Sequence, residues 1–423
     1  MHRITFIVLC LTITSCVSTD PIGAGEEEWS RGLDEIVIDH SDVFTVQLHA
    51  GEKETSLPIV EIGSGLQLRL AFDLVEGESR PLTAYFYHAD RDWNRDLTAG
   101  EVLTGFYQDE ILDYRSSGST ILPYVHYEYT FPNRSIDFKV SGNFVVRVSE
   151  QGREDDALFE RRFFVTEQAT SVEMRLDQFM LPGSRSTSIR PFLRFRPPTS
   201  NTSVFDYSAC FIRNAELRSI SCIDRPTLDV QPDITFATEP ESSFKPAPAT
   251  FFVNISELRT GGRIERVNQQ SIPWRVEIEP DNARFPGTQL APFINGKTVI
   301  REANKFLNEP DYAAEYVNAV FRFIPPDGAP LNAPVFLTGS FNNWTADNRY
   351  ALVWDETSSW YHGRYLVKQG HYAYSYLSGD PRLSEAMNVG LPQLENMFTG
   401  LVYHHDLFSQ TDRLIAVQSL FVN

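Results

Sequence analysis

An apolar residue at every second position, repeated in block after block, constrains this sequence more than any other feature. Leu66, Leu68, Leu70, Phe72 and Leu74 alternate with Gln67, Arg69, Ala71 and Asp73. Tyr127, Tyr129 and Phe131 repeat the pattern, as do Phe138 and Val140, and then Phe144, Val146 and Val148 beyond Gly142-Asn143. Trp274, Val276 and Ile278 follow, and later Tyr372, Tyr374 and Tyr376. Successive side chains on a strand point to opposite faces, so a period of two gathers each apolar set on one side of a sheet. These blocks are rich in aromatic and β-branched residues and are bounded by Gly, Pro and Asn, which reads as half-buried antiparallel strands. Only Thr98 to Tyr107 and Gly296 to Leu307 offer a modest helical pattern. The expected fold class is all-β, built from tandem antiparallel β-sandwich domains of immunoglobulin-like or early-set type.

The punctuation between blocks suggests where such domains divide. Arg161-Arg162-Phe163-Phe164-Val165 reads as the closing strand of a first domain, taken as residues 34–168. Proline-rich stretches at Arg190-Pro191 to Pro197-Pro198 and from Pro240 to Pro248 fall in a middle β-rich domain, residues 169–314. Pro325-Pro326-Asp327-Gly328 reads as a turn following the first strand of a third domain, residues 315–423.

The amino terminus has a different character. A polar start at His2 and Arg3 leads into the apolar run Ile4 to Ile13, the length of a signal-peptide core and too short to span a bilayer. It ends in Ile13-Thr14-Ser15-Cys16, which matches a bacterial lipobox: a branched apolar residue, two small residues, then the cysteine that accepts lipid. The alternative is an ordinary secretory signal ending by chance in cysteine. Residues 1–15 are therefore expected to be a lipoprotein signal peptide, Cys16 the lipidation site, and 16–33 a small, acidic, aperiodic tether. No later segment is apolar for long enough to span a membrane, which leaves lipid as the anchor. Val17-Ser18 lacks the aspartate that retains some lipoproteins at the inner membrane, so the outer membrane is the expected location, with the chain on its periplasmic face.

Loss of residues 1–15 removes only Arg3, taking the net charge from −19 to −20. Nucleic acid and anionic lipid would both be repelled by such a chain. Cleavage and lipidation would also leave Cys210 and Cys222 as the remaining cysteines, flanking a plausible hairpin. In an oxidising compartment a pair at this spacing points to a disulfide, which would stabilise by roughly 3 kcal/mol on a chain-entropy view. Two buried free thiols are the alternative. Zinc is disfavoured because no Cys-x-x-Cys or histidine pair accompanies them.

Few residues suggest chemistry. His88, Asp90 and Asp92 alternate and could in principle ligate a metal, but Arg91 and Arg95 sit among them, so a polar turn closed by Trp93 is the favoured reading. His404-His405-Asp406 cannot easily form one site, since neighbouring strand residues face opposite ways. No nucleophile elbow, P-loop, His-Glu-x-x-His or dinucleotide fingerprint is present, and no catalytic residue, metal or cofactor is expected.

Two resemblances follow from longer motifs. Val335 to Trp344, with its Gly-Ser-Phe-Asn-Asn-Trp turn, then Trp360 and Tyr365 to Tyr376, resembles early-set sandwich modules of glycogen-binding and starch-branching proteins. That resemblance implies Trp344, Trp360 and Lys368 as carbohydrate-binding candidates, although the second tryptophan turn of those modules is replaced by Leu377 to Arg382. A second resemblance covers far more. Leu68 to Asp73, Tyr87 to Trp93, Gly105-Phe106, Tyr124 to Asn133, Ser141 to Phe144 and Arg161 to Phe163 resemble the plug protein family of the type IX secretion system. Glu315-Tyr316-Val317, the Phe341-Asn342-Asn343-Trp344 turn, Lys368 to Tyr374 and Asp412 to Ile415 continue the match in order. The middle departs from the family, reading Asn254 to Arg259 and Glu385 to Asn388 where the family has glycine-containing segments.

What the plug resemblance implies is a mechanical role without catalysis: a lipoprotein that closes the periplasmic end of a large outer-membrane translocation barrel, its expected partner. An envelope carbohydrate-binding lipoprotein using the Phe341 to Trp344 region is the alternative. The tether gives a direct prediction. Cys16→Ser should move the protein from the membrane to the soluble fraction with its fold intact; retention of the variant on membranes would contradict lipidation there.

Overall fold

The computed structural model describes residues 39–422, apart from 76–77, 181–186, 200–201, 228–232, 241, 245–249, 285–292, 304–308 and 388–394. The expected signal peptide, Cys16 and the tether lie outside the described residues. All described residues belong to one compact unit, and among them no helix is long and apolar enough to cross a membrane.

The first sandwich contains β1 (Val43–Ala50), β2 (Ile59–Glu61), β3 (Leu68–Val75), β4 (Leu82–Ala89), β5 (Leu103–Gly105), β6 (Gln108–Ile111), β7 (Asp113–Ser116), β8 (Tyr124–Phe131), β9 (Ile136–Phe138), β10 (Gly142–Glu150) and β11 (Ala157–Thr166). Its two sheets run β1-β3-β8-β7 and β2-β11-β10-β4-β6. The alternating residues meet between them: Leu68, Leu70, Phe72 and Leu74 from β3 face Phe86, Phe144, Val146 and Phe163, all buried. Phe163 stands at the centre of an aromatic cluster, with ring centroids 5.1 Å from Phe131, 5.4 Å from Phe144 and 5.6 Å from Phe138. Each such side chain removed from water contributes roughly 1.5–3 kcal/mol, with offset and edge-on ring contacts adding to it.

The expected helix at 98–107 is one turn only, Ala99–Val102. Thr98 and Glu101 form a capping box that starts it, with the Thr98 amide donating to Glu101 at 2.8 Å. Leu103 then leaves the turn to pair with Phe138 in the β5–β9 ladder, so tertiary pairing overrides local propensity. The other helical candidate also fails, because residues 298–300 form a strand.

Beyond residue 170 the grouping of strands cuts across the expected boundary between residues 314 and 315. The next strands are β12 (Val172–Met180), β13 (Thr187–Phe195), β14 (Tyr207–Arg213), β15 (Ser221–Ile223), β16 (Ile234–Ala237), β17 (Phe251–Asn254), β18 (Ile264–Asn268), β19 (Arg275–Ile278), β20 (Asp281–Asn282) and β21 (Thr298–Ile300). They are followed by β22 (Tyr316–Ile324), β23 (Val335–Gly339), β24 (Ala351–Asp355), β25 (Trp360–Lys368), β26 (Gly370–Ser378), β27 (Asn396–Asp406) and β28 (Thr411–Val422). The closing hairpin β27–β28 returns to the middle of the chain: β14 pairs with β27 from Tyr207↔His404 to Arg213↔Phe398. The sheet β15-β14-β27-β28 packs on β12-β13-β16 around Leu193, Phe211, Phe236, Phe398 and Ile415, making the second sandwich. Strands β17 to β21 instead join β22 to β26, because β17 and β21 pair with β26 and β19 pairs with β22. In this third sandwich β24 pairs with β23 at its start and with β25 at its end, turning one sheet into the other around Phe321, Phe323, Leu337, Tyr374 and Tyr376. Pairing between strands so distant in sequence leaves no local trace, so linear boundaries could not reveal it.

Phe163→Ala should lower unfolding stability by about 3–5 kcal/mol, the usual cost of emptying a close-packed aromatic core. A shift below about 1 kcal/mol in urea unfolding would contradict this packing.

Candidate functional site

The residues singled out for chemistry are dispersed into structural work. His88 is buried, its Nδ1 2.6 Å from Asp96 and its Nε2 3.2 Å from the Ser141 carbonyl. Asp90 caps a turn, accepting from the Asn94 amide at 2.8 Å, and the exposed Asp92 pairs with Arg91. Among the described residues no group of histidine, cysteine, aspartate and glutamate could hold a metal ion. His404 packs on Tyr207, while His405 pairs with Asp412 at 2.9 Å. Cys210 and Cys222 face one another across β14 and β15 and are joined by a disulfide.

The carbohydrate candidates do not share a surface. The Asn342 side chain ties the turn together, accepting from the Gly339 amide and donating to the Leu337 carbonyl, both at 2.9 Å. Trp344 is thereby turned inward at 9% exposure, packed with Ile294, Val299 and Ala373, its Nε1 donating to the Gly296 carbonyl at 3.0 Å. Trp360 is half-buried under the Arg322 guanidinium, and Lys368 is only 1% exposed. A stacking platform needs an open ring face, which Trp344 lacks.

Lys368 instead belongs to a buried polar cluster. In β3 the odd-numbered face that carries Arg69, Ala71 and Asp73 lies against the third sandwich, and Asp73 is fully buried. One Asp73 oxygen is 2.6 Å from His126 Nδ1. The other accepts from the Tyr316 hydroxyl at 2.6 Å and from the Lys368 ammonium at 2.7 Å. Lys368 also donates to the Asp311 carbonyl at 2.7 Å, and its ammonium lies 4.2 Å from the centre of the Tyr124 ring. Tyr124 in turn donates to the carbonyls of Asp311 and Ala314. Burial pushes the Asp73 carboxyl up, but the Lys368 ammonium and the His126 hydrogen bond outweigh it and hold the carboxyl below its usual range. Burial, with Asp73 alongside, pushes the Tyr316 hydroxyl well above its ordinary value, so it stays a donor.

A second junction joins the first sandwich to the β27–β28 hairpin. Asp96, held by His88, accepts from the Thr411 hydroxyl, and the Tyr403 hydroxyl donates to Asn143 at 2.8 Å. The Arg91 amide donates to Asp412 at 3.2 Å, and Arg413 Nε donates to Glu167 at 2.7 Å. Gly142 lies where these parts converge, with φ of +148°; a Cβ there would lie 2.4 Å from His88 Nε2. A third set links β1 and the following loop to β21: Gln47 donates to the Thr298 carbonyl at 3.0 Å, and Glu54 pairs with Arg301 at 2.6 Å. There Lys297 donates to the Leu48 carbonyl at 2.7 Å, and burial pushes its amine down to about 7.

Residues 43–167, the sandwich at the centre of these junctions, match the family described as the type 9 secretion system plug protein 1st domain. This segment is a plug-family first domain. The plug resemblance read in the sequence is borne out over it, and it associates the chain with type IX secretion and so with the cell envelope. The crystal structure of a hypothetical protein from Parabacteroides merdae superposes with a TM-score of 0.83, covering 91% of this chain and 98% of that chain at 21% identity. That likeness shows that the two proteins share a fold over most of this chain. No curated protein sequence matches. Segments in which the sequence resembles the plug family supply much of the junctions: Tyr124 and His126, Ser141 to Asn143, Tyr316, Lys368 and Asp412-Arg413 take part in the arrangement described above.

Sequence reasoning missed Asp73 and Asp311 as partners of Lys368. One signal was present: Asp73 interrupts the most regular apolar strand on the side that a lone sandwich would leave to water. Lys368→Met should cost about 3–5 kcal/mol at neutral pH by leaving Asp73 buried without its countercharge. In the wild type the depressed carboxyl contributes stability that is present above its ordinary value of 3.8 and is lost as pH falls through its lower folded value. In the variant burial dominates, Asp73 titrates high, and the deficit should shrink as pH falls towards 4; urea unfolding showing a deficit independent of pH would contradict this.

Proposed function

We propose that this chain is a non-catalytic lipoprotein of the type IX secretion system that occupies the periplasmic mouth of the large outer-membrane translocation barrel. The observation that carries this reading is the plug-family first domain held against two further sandwiches by buried polar junctions. A body that closes a wide pore must resist deformation. Interfaces built from short, charge-assisted hydrogen bonds with specific geometry favour one arrangement over sliding alternatives. Acylation at Cys16 would keep such a body beside its pore and raise its effective concentration there. The negative charge fits a periplasmic particle that does not adhere to anionic lipid.

Affinity purification of the tagged chain from its native membrane tests the reading. A very large outer-membrane β-barrel protein should co-purify; an eluate without one would sink the proposal.

A further inference from the structure

We propose that the β6–β7 side of the first sandwich is the docking surface for an extended, basic and apolar strand of the barrel-side partner, a proposal that rests on the plug reading above. Strands β6 and β7 follow each other directly through Leu112, yet each is the outermost strand of a different sheet. The chain thus crosses from one sheet to the other along a single side of the sandwich, leaving two outer edges next to each other. Among the described residues no strand pairs with either outer edge. The opposite side, with β1 and the loop after it, carries the contacts to residues 295–301, and on the β7 side the third sandwich reaches only the far end, where Arg115 and Gly118 meet Glu309 and Tyr312.

Both edge strands are short and carry charges, which limits indiscriminate pairing, yet apolar side chains stand exposed beside them. Phe106 is 68% exposed, Tyr107 54%, Leu112 75% and Tyr114 47%, all within nine consecutive positions. Gly105 fixes how this run begins: its φ is +106°, and a Cβ would lie 2.4 Å from the Ser135 carbonyl, to which the Phe106 amide donates. Residues 105–116 contain no lysine or proline, so an incoming strand that carries the opposite charge is not turned away. Their charge is acidic: Asp109, Glu110 and Asp113 stand against Arg115, whose guanidinium is bound to Glu309 at 2.7 Å.

Those features specify the occupant. Unpaired backbone N–H and C=O groups along a sheet edge are satisfied by an extended chain and not by a helix, as in strand addition. The exposed aromatic and leucine side chains call for apolar residues at alternate positions of that chain. The local carboxylates call for lysine or arginine between them, and they disfavour anionic lipid or nucleic acid.

The test uses the full-length tagged protein in its native membrane, with a photo-crosslinking benzoylphenylalanine at Leu112 and, as control, at Val353, which is 64% exposed on β24. The expected result is a crosslink from Leu112, absent from Val353, that maps within one extended segment of the barrel that co-purifies. The double variant Leu112→Lys, Tyr114→Lys should lower barrel recovery about tenfold, as for loss of a central contact worth about 1.4 kcal/mol. Recovery of the barrel without a Leu112 crosslink to it, or a Leu112 crosslink to a second copy of this chain, overturns the edge as the docking surface and leaves the plug reading standing. Failure to recover any barrel with the unaltered protein removes the plug reading and this proposal with it.

Discussion

A carboxylate cut off from water, Asp73, sits on a central strand of the first sandwich and finds its partners on the third. An isolated buried charge is too costly to persist, so Lys368, Tyr316 and His126 must stand within hydrogen-bond reach for the fold to hold. This requirement fixes more than one contact. Lys368 ends β25 and Tyr316 begins β22, strands paired with each other in antiparallel register, so satisfying Asp73 also sets the orientation of that sheet against the first domain. The Asp96–Thr411 and Asn143–Tyr403 contacts then set the second sandwich in the same frame. Apolar packing makes each sandwich stable, whereas polar contacts of narrow geometry specify how the sandwiches meet.

How much of this was legible follows from which interactions are local. The strands of the first sandwich are readable because Leu68 to Leu74 and Phe144 to Val148 alternate their core-facing residues in the sequence, but the expected half-burial does not hold, since Ala71, Asp73 and Val145 on the other face are covered as well; the closing strand at Arg161 to Val165 lies where expected. The Pro325 to Gly328 turn was equally plain, since the Gly328 amide bonds back to the Pro325 carbonyl and its φ is +64°. The exchange of the β27–β28 hairpin into the second sandwich was not readable, because Tyr207 and His404 are brought together only by the finished fold. Trp344 misleads for a related reason. Its turn has the residues of a sugar platform, but the segment around Ile294 and Val299, distant in sequence, covers the ring. The junction residues were visible as family motifs before their physical purpose was, and that purpose needed the partner strands in place.

The same distinction orders the functional account. Among the described residues no group of histidine, cysteine, aspartate and glutamate could hold a metal ion, and the Lys368–Asp73 and Arg413–Glu167 ion pairs lie where sandwiches meet. A plug-family domain placed in a rigid frame suits a protein whose task is to fill space and hold position. Its exposed side chains at Phe106, Tyr107, Leu112 and Tyr114 are not those that make the buried junctions, so docking to a partner and cohesion of the body draw on different residues.

If the Asp73 cluster locks the first sandwich to the third, the two move as one rigid body. Pulsed electron–electron resonance between spin labels at the exposed positions Thr104 and Val353 measures this directly, on the full-length chain with its disulfide intact. A single narrow distance distribution is expected. A broad or multi-peaked distribution in the unaltered protein would contradict it.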